Sequence, residues 1–247
     1  MSSPSTAPKK SETSAPAPGS LLQETVFLNG EGDAWFDRSQ KQKADPDAKI
    51  ANDMVLRTIA DYSLNPRRVL SVGCSNGWRL AAIEQRYGSD CTGIDPSNKA
   101  ILSGREEFPK LRLIPGTAAS MNLPEGETFD LVIASFVLHW ISRPLLLNSI
   151  AQIDSRVSEG GFLLLADFSP DWPTQNVYHH LDPGLVYTYK ADYASLFETT
   201  RLYSRVSHQT FDSQDGLRKG AVDSDSRAFC ALLRKSSTGL FIQGRRP

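Results

Sequence analysis

The stretch that decides the fold is residues 68–97, RVLSVGCSNGWRLAAIEQRYGSDCTGIDPS. Val69, Leu70 and Val72 near its start are typical of a strand that is buried on both faces. A glycine-containing turn follows, then apolar residues at helical spacing, and a second short strand that ends at Asp95. This order predicts a strand–helix–strand unit of an open parallel sheet, which binds ligands at the carboxyl ends of its strands.

The turn after the first strand is suited to a nucleoside-containing ligand. Asp95 lies 22 residues after Gly73, close to the spacing of about 20 residues at which an acid meets ribose hydroxyls. A dinucleotide site requires the pattern G-x-G-x-x-G. Here Ser75 replaces the middle glycine, and Trp78 follows Gly77 where a pyrophosphate would be crowded. The turn therefore disfavours NAD, and a nicotinamide-dependent oxidoreductase is left as the enzymatic alternative.

Further motifs follow the turn at regular intervals. They are GTAA at 116–119, FDLVIAS at 129–135, FVLHW at 136–140, and EGG at 159–161 before an apolar strand at 162–166. Together with the turn, they resemble class I S-adenosylmethionine-dependent methyltransferases over about residues 50–170. The resemblance implies a Rossmann-like α/β fold in three layers, α/β/α, with a mostly parallel seven-stranded sheet. It also implies S-adenosyl-L-methionine as the cofactor.

The resemblance implies a cofactor site at the carboxyl ends of the strands. Its expected residues are Trp35, Gly73, Cys74, Ser75, Gly77, Asp95, Pro96, Thr117, Ala118 and Ser135. Two acids that are common in the family are absent, because Ser71 and Thr117 stand at their positions. Glu31 or Asp33 is expected to compensate for them. The same departures favour the alternative of a non-catalytic or regulatory S-adenosylmethionine-binding protein.

Three side chains are candidate catalytic groups. His139 follows the fourth strand, and the ordinary histidine pKa of about 6.5 suits a base near neutral pH; the alternative is a histidine that packs with Trp140. Tyr178 and His180 lie in a proline-rich loop, which in the family covers the acceptor; the alternative is an aromatic lid with solvated histidines. Asp167 either positions the acceptor or caps the next loop.

Segments outside the core resemble a bacterial subfamily of methylases associated with the biosynthesis of pseudaminic acid or related sugars. They are FLNGEGDAWF at 27–36, GIDPS at 93–97, DFSP at 167–170 and VYTYKADY at 186–193. The resemblance implies methyl transfer to an oxygen or nitrogen of a small polar metabolite, such as a sugar or a sugar-like intermediate.

Composition narrows the class of protein further. The 27 basic and 28 acidic residues give a net charge of −1 without the basic stripe that is typical of nucleic-acid binders. The three cysteines have no metal-ligand spacing and are typical of reduced thiols in the cytoplasm. No apolar run approaches the ~18 residues of a membrane span. We therefore expect a cytoplasmic protein that binds no nucleic acid, membrane or metal; the oligomeric state is left open.

The chain is expected to have a disordered tail over residues 1–20 and a single methyltransferase domain over 21–247. Within the domain, residues 21–64 are predicted to form an N-terminal cap and helix, and residues 169–200 to cover the substrate. The predicted local elements are helices over 51–64 and 189–197, a loop over 169–187, and a closing antiparallel pair of strands over 206–211 and 229–234.

Overall fold

The computed structural model describes residues 23–41, 45–214, 216 and 223–236, so the predicted tail lies outside the described residues. The helices are α1 Gln23–Val26, α2 Gly32–Lys41, α3 Pro46–Asn52, α4 Met54–Asp61, α5 Trp78–Tyr87, α6 Asn98–Glu107, α7 Leu146–Arg156 and α8 Ala194–Thr199. The strands are β1 Arg68–Val72, β2 Asp90–Asp95, β3 Arg112–Pro115, β4 Phe129–Ser135, β5 Val157–Phe168, β6 Thr174–Val177, β7 Tyr187–Lys190, β8 Tyr203–Asp212 and β9 Arg227–Lys235. No helix in these ranges has the length and apolar character needed to cross a bilayer.

Seven strands form one sheet in the order β3-β2-β1-β4-β5-β9-β8. The first five are parallel, whereas β9 pairs antiparallel with both β5 and β8. The closing antiparallel pair expected from the sequence is therefore confirmed. The Rossmann-like fold with a mostly parallel seven-stranded sheet is confirmed as well.

Alternate residues of the central strands pack into opposite layers. Val69 of β1 belongs to the core beneath α4, α5 and α6, whereas Leu70 and Val72 belong to the core beneath α7 and α8. All three side chains are fully buried. Both faces of the strand are covered, so apolar side chains occur on both of its faces rather than on one. This arrangement confirms the three-layer architecture.

The helix predicted over residues 51–64 is divided at Asp53. Asp53 has an extended backbone with ψ 115°, and its side chain accepts a hydrogen bond from the Leu56 N–H at 2.9 Å. It therefore caps α4 and separates it from α3. The guanidinium of Arg79 in α5 donates to the same carboxylate at 2.8 Å, so this cap also ties α4 to the helix that follows β1.

The helix predicted over residues 189–197 is only partly correct. Strand β7 takes the first two of those residues, and α8 begins at Ala194. Strand β7 pairs antiparallel with β6, which lies inside the segment expected to be a loop. The β-favouring Tyr-Thr-Tyr sequence of β7 finds a partner strand only through this long-range pairing, so local helical spacing is overridden.

Helix α6 approaches the turn after β1 very closely. A Cβ atom on Gly104 would lie 2.1 Å from the backbone oxygen of Asn76, which is too close for any side-chain atom. The absence of a side chain at Gly104 thus lets α6 pack directly on the turn. The turn that begins at Gly73 is consequently supported from behind by backbone.

We expect Gly104→Ala to lower the free energy of unfolding by about 1–3 kcal/mol, because the added methyl group must push α6 away from Asn76. Urea denaturation followed by circular dichroism measures this change. Ser103→Ala, one position earlier in α6, is the matched control and should change the free energy by less than about 0.5 kcal/mol. Equal values for the two variants would contradict the close packing at Gly104.

Candidate functional site

A cavity of about 160 Å³ lies at the carboxyl ends of the central strands β1 to β4. Most of the residues predicted to bind the cofactor line it. They are Trp35, Gly73, Ser75, Asp95, Pro96, Thr117, Ala118 and Ser135. The carboxyl ends of parallel strands meet at one edge of the sheet, which is why side chains so distant in sequence converge here.

Two predicted cofactor residues lie behind the wall of this cavity. Cys74 is buried, and its Sγ donates to the carbonyl of Ser75 at 3.3 Å. Burial raises the pKa of the Cys74 thiol well above its ordinary value, so the thiol stays protonated. Gly77 begins α5 and packs against Leu111 and Leu113. Both residues therefore shape the turn without facing the cavity.

The turn after β1 presents its backbone to the cavity. Gly73 has φ 71°, and a Cβ atom there would lie 2.2 Å from the Cγ2 of Val137. Ser75 also has a left-handed backbone, with φ 53°. Left-handed residues in a turn aim backbone groups toward one side and leave room for a ligand to approach.

Asp95 connects this turn to the end of β2. Its carboxylate accepts hydrogen bonds from the Ser75 N–H at 2.7 Å and the Ser97 N–H at 2.9 Å. Burial raises the pKa of Asp95 to about 6, although these two N–H groups act in the opposite direction. Each oxygen keeps capacity for a further donor. A buried carboxylate facing a cavity in this way is suited to accept hydroxyl groups of a ligand.

Aromatic side chains form an apolar wall of the cavity. Phe27 and Trp140 meet edge to face with ring centroids 5.2 Å apart, and Trp35 and Phe136 line the same cavity. Gln23 fixes the N-terminal segment over the site, because its amide donates to the carbonyl of Trp140 at 2.6 Å. This N-terminal segment consists of α1, α2 and the π-helical turn Phe27–Glu31 between them.

Glu24 is a cavity residue that the sequence analysis missed. It lies in α1, lines the cavity, and accepts hydrogen bonds from the N–H of Ser142 at 3.1 Å and from its hydroxyl at 2.6 Å. Its position three residues before Phe27, on the same face of the chain's first helical turns, was the available signal. Nothing in the local pattern indicates that this face meets the end of β4.

The two acids expected to compensate for the missing family acids have other partners. Asp33 accepts from the Ser97 hydroxyl at 2.6 Å and the Lys99 N–H at 3.0 Å, so it stabilises the start of α6. Glu31 is paired with Arg38 and accepts from the hydroxyl of Tyr178 at 2.8 Å. Neither acid lines the cavity.

Tyr178, predicted to be catalytic, is buried and lies directly after β6. It joins the N-terminal helices α1 and α2 to the β6–β7 hairpin, and we call these two segments the cover. Its hydroxyl donates to Glu31 and accepts from Arg38 at 2.5 Å, and its ring meets Trp140 edge to face at 4.9 Å. Burial, with the hydrogen bond to Glu31, raises the pKa of the Tyr178 hydroxyl above its ordinary value. The phenol is therefore protonated at neutral pH and backs the aromatic wall.

The other two predicted catalytic residues also lie outside the cavity lining. His139 is buried, and its Nδ1 lies 2.8 Å from the Oδ1 of Asp167, which is buried as well. The ring of His139 packs against Trp140 at 4.8 Å. His180 is exposed and packs against His179 with ring centroids 4.0 Å apart. The structure thus joins His139 to Asp167 beneath the cavity wall, and a catalytic role for the three residues stays a prediction.

Residues 69–161 match the family model described as "Methyltransferase domain". This segment is therefore similar in sequence to methyltransferase domains. It contains the turn after β1, Asp95 and β4, so the resemblance stated from these motifs is confirmed for the class I methyltransferases and not for the sugar-biosynthesis subfamily.

Curated relatives match the same part of the chain. The tRNA U34 carboxymethyltransferase of Aliivibrio fischeri (strain MJ11) is 33% identical over 113 residues, which are 41% of this chain and 32% of that protein. The trans-aconitate 2-methyltransferase of Delftia acidovorans is 31% identical over 101 residues, 40% of this chain and 37% of that protein. The chain thus spans about a third of the length of these relatives.

Solved structures share the fold over a larger part of the chain. The 1,6-didemethyltoxoflavin-N1-methyltransferase of Burkholderia thailandensis, with bound 1,6-didemethyltoxoflavin and S-adenosylhomocysteine, has a TM-score of 0.65 at 15% identity and covers 95% of this chain and 94% of its own. The N-methyltransferase NodS of Bradyrhizobium japonicum WM9, in complex with S-adenosylhomocysteine, has a TM-score of 0.55 at 14% identity and covers 80% and 95%. The fold of the methyltransferase domain therefore extends beyond residues 69–161.

We expect Tyr178→Phe to lower the free energy of unfolding by about 1–2 kcal/mol, because the buried Glu31 loses a hydrogen-bond donor. Urea denaturation measures the change. Tyr187→Phe is the control, since no hydrogen bond of its side-chain hydroxyl occurs within the described part of the chain, and should be nearly neutral. A Tyr178→Phe protein as stable as this control would show that the Tyr178 hydroxyl does not hold the cover.

Proposed function

We propose that the chain is an S-adenosylmethionine-dependent methyltransferase that methylates an oxygen or a nitrogen of a small polar metabolite. One observation carries the proposal: a cavity at the carboxyl edge of a methyltransferase fold is lined by the glycine turn, by the carboxylate of Asp95 and by aromatic rings. A cofactor of this kind needs backbone groups that it can approach, a hydrogen-bond acceptor for its ribose hydroxyls and an apolar surface that excludes water. The lining of the cavity contains all three.

The residues at the turn fit the proposed cofactor. Gly73 lines the cavity without a side chain, and Asp95 keeps free acceptor capacity for the vicinal hydroxyls of a ribose. Thr117 and Ala118, which follow β3, line the cavity on the same side and are proposed to contact the adenine. When bound, S-adenosylmethionine supplies a methyl group that is already activated by its positive sulfur.

The chain's own part in the reaction is to orient the acceptor and to exclude water. The aromatic side chains of Phe27, Phe136 and Trp140 provide an apolar surface that excludes water from the cavity. His139 lies behind Trp140 and is held by Asp167. We therefore propose that His139 and Asp167 position the segment after β4, and that Tyr178 fixes the cover of the acceptor region, which includes the exposed His180.

The charge of the chain supports a small acceptor. The net charge of the whole chain is −1. A tRNA acceptor, as named for several relatives, normally requires a basic surface that steers phosphates. The names trans-aconitate and 1,6-didemethyltoxoflavin in other relatives favour a small molecule. A sugar-like acceptor rests on the motif resemblance alone.

A non-catalytic cofactor-binding protein is the second candidate function. One observation favours it: none of His139, Tyr178 and His180 lines the cavity. Such a protein would bind the cofactor with normal affinity and transfer no methyl group to any acceptor.

Calorimetric titration of the full chain with S-adenosylmethionine, S-adenosylhomocysteine and NAD tests the proposal. We expect both adenosyl compounds to bind and NAD not to bind. A methyl-transfer assay with labelled S-adenosylmethionine and a panel of amines, N-heterocycles, nucleotide sugars and organic acids then separates the two candidate functions. Binding of NAD alone, or of none of the three compounds, would overturn the cofactor assignment.

The affinity for S-adenosylhomocysteine should fall as the pH is lowered through about 6. The pKa of Asp95 is raised to about 6, and ribose hydroxyls donate to the ionised carboxylate, so a proton competes with the ligand below that pH. The decrease should approach about tenfold per pH unit. Calorimetry between about pH 5 and 8, with circular dichroism to confirm folding, measures it.

Asp95→Asn is the matched variant for this pH dependence. It should bind S-adenosylhomocysteine about 1–3 kcal/mol more weakly at pH 8, because the charge-assisted hydrogen bonds are lost. Its remaining affinity should be independent of pH over the same range. A variant that keeps the wild-type pH profile would contradict the assignment of Asp95 to the ribose.

A further inference from the structure

The cavity has two ends of different chemistry. Asp95, Thr117 and Ala118 line the end beside β2 and β3, whereas Glu24, Phe27 and Trp140 line the end beside the segment after β4. The sheet order places β2 and β4 on opposite sides of β1. If the cofactor occupies the first end, as in the proposed function on which this inference rests, the second end is available to the acceptor.

The ionisable side chains that line the cavity are all acids. Among the described lining residues, Glu24 and Asp95 are the ionisable ones, and no lysine, arginine or histidine belongs to the lining. One carboxylate therefore lies at each end. An anionic acceptor would enter a site that holds negative charge and offers no basic side chain to balance it.

Two arginines of the surrounding segments, Arg143 and Arg38, are held by other groups. The guanidinium of Arg143 lies 4.1 Å from the ring centroid of Tyr189 and donates to the carbonyl of Ile141 at 2.6 Å. Arg38 is bound by Glu31 and Tyr178. Within the described part of the chain, the partners of the Glu24 carboxylate are the N–H and hydroxyl of Ser142, which carry no charge. The negative charge of Glu24 is thus left for a ligand.

The surroundings of Glu24 also define the shape of a ligand. Ser142 fixes both carboxylate oxygens, at 3.1 and 2.6 Å, so the group is held in one orientation. Phe27 and Trp140 stand next to it with ring centroids 5.2 Å apart. Aromatic faces attract cations and flat rings, and a carboxylate accepts N–H donors in their plane. Together these groups favour a planar, electron-poor or cationic nitrogen compound.

We propose that Glu24 is an acceptor-binding residue that selects a planar methyl acceptor bearing a cationic nitrogen or an N–H donor. Acceptors that present a carboxylate or a phosphate at this end are rejected. The specificity of the site is therefore set by α1, which lies outside the segment that matches the methyltransferase family.

Benzamidine, benzamide and benzoate test this proposal, because they share one shape and carry positive, zero and negative charge at neutral pH. Their binding to the full chain is measured by ligand-observed NMR with S-adenosylhomocysteine present. We expect the wild type to bind benzamidine at least about tenfold more tightly than benzoate, with benzamide between them. Glu24→Gln should remove most of this preference. Its amide can still accept the Ser142 N–H and donate to the Ser142 hydroxyl, so the fold is retained.

Glu125→Gln is the matched control, since it removes the same charge from an exposed position outside the cavity, and should keep the wild-type preference. Three results would overturn the proposal. They are an unchanged order of affinities in Glu24→Gln, wild-type protein that binds benzoate as tightly as benzamidine, and wild-type protein that does not bind benzamidine at millimolar concentration. So would a tenfold loss of S-adenosylhomocysteine affinity in Glu24→Gln, because Glu24 would then belong to the cofactor. Failure of the wild type to bind S-adenosylhomocysteine would instead refute the proposed function itself.

Discussion

The hydrogen bond from the Ser75 N–H to the carboxylate of Asp95, at 2.7 Å, holds together the part of the fold on which the site depends. It joins the turn after β1 to the end of β2, and the Ser97 N–H completes the link to α6. The connection is made by a buried acid whose pKa is raised to about 6, so desolvation opposes the charge that the link requires. A ligand that donates to this carboxylate would offset part of that cost. The carboxylate of Asp95 can thus both fix the conformation of the turn and favour the binding of a ligand that donates hydrogen bonds to it.

The cover over this turn is assembled from segments far apart in the chain. Gln23 donates to the carbonyl of Trp140 and accepts from the N–H of Tyr187, and Tyr178 is bound to Glu31. These polar contacts are buried or partly buried, where a donor or acceptor without a partner is costly. They therefore specify one arrangement of the N-terminal helices against the β6–β7 hairpin, and they place the aromatic wall at the cavity.

Much of this fold could be read from local patterns. The apolar runs of the central strands, the glycine turn and the acid at the end of β2 obey rules of burial and backbone geometry that act over a few residues. The parallel sheet and the position of the glycine turn and Asp95 at its carboxyl edge followed from them. Local patterns failed where a partner decided the outcome: Asp53 interrupts a helical repeat because it caps α4, and residues 187–190 are a strand because β6 pairs with them.

Residue types and their spacing were thus enough for the architecture, and most of the residues predicted to bind the cofactor do line the cavity. Apart from Trp35, each of them lies at or just after the end of a strand that its own local pattern indicates. The tertiary structure alone decided how side chains from separate segments meet. It paired His139 with Asp167 beneath the wall and turned Tyr178 toward Glu31. It also brought Glu24 from the first helix to Ser142, at the end where an acceptor would lie. Contacts between side chains of distant segments depend on how the helices and the sheet pack against one another. Such packing leaves no periodic pattern in the amino-acid sequence.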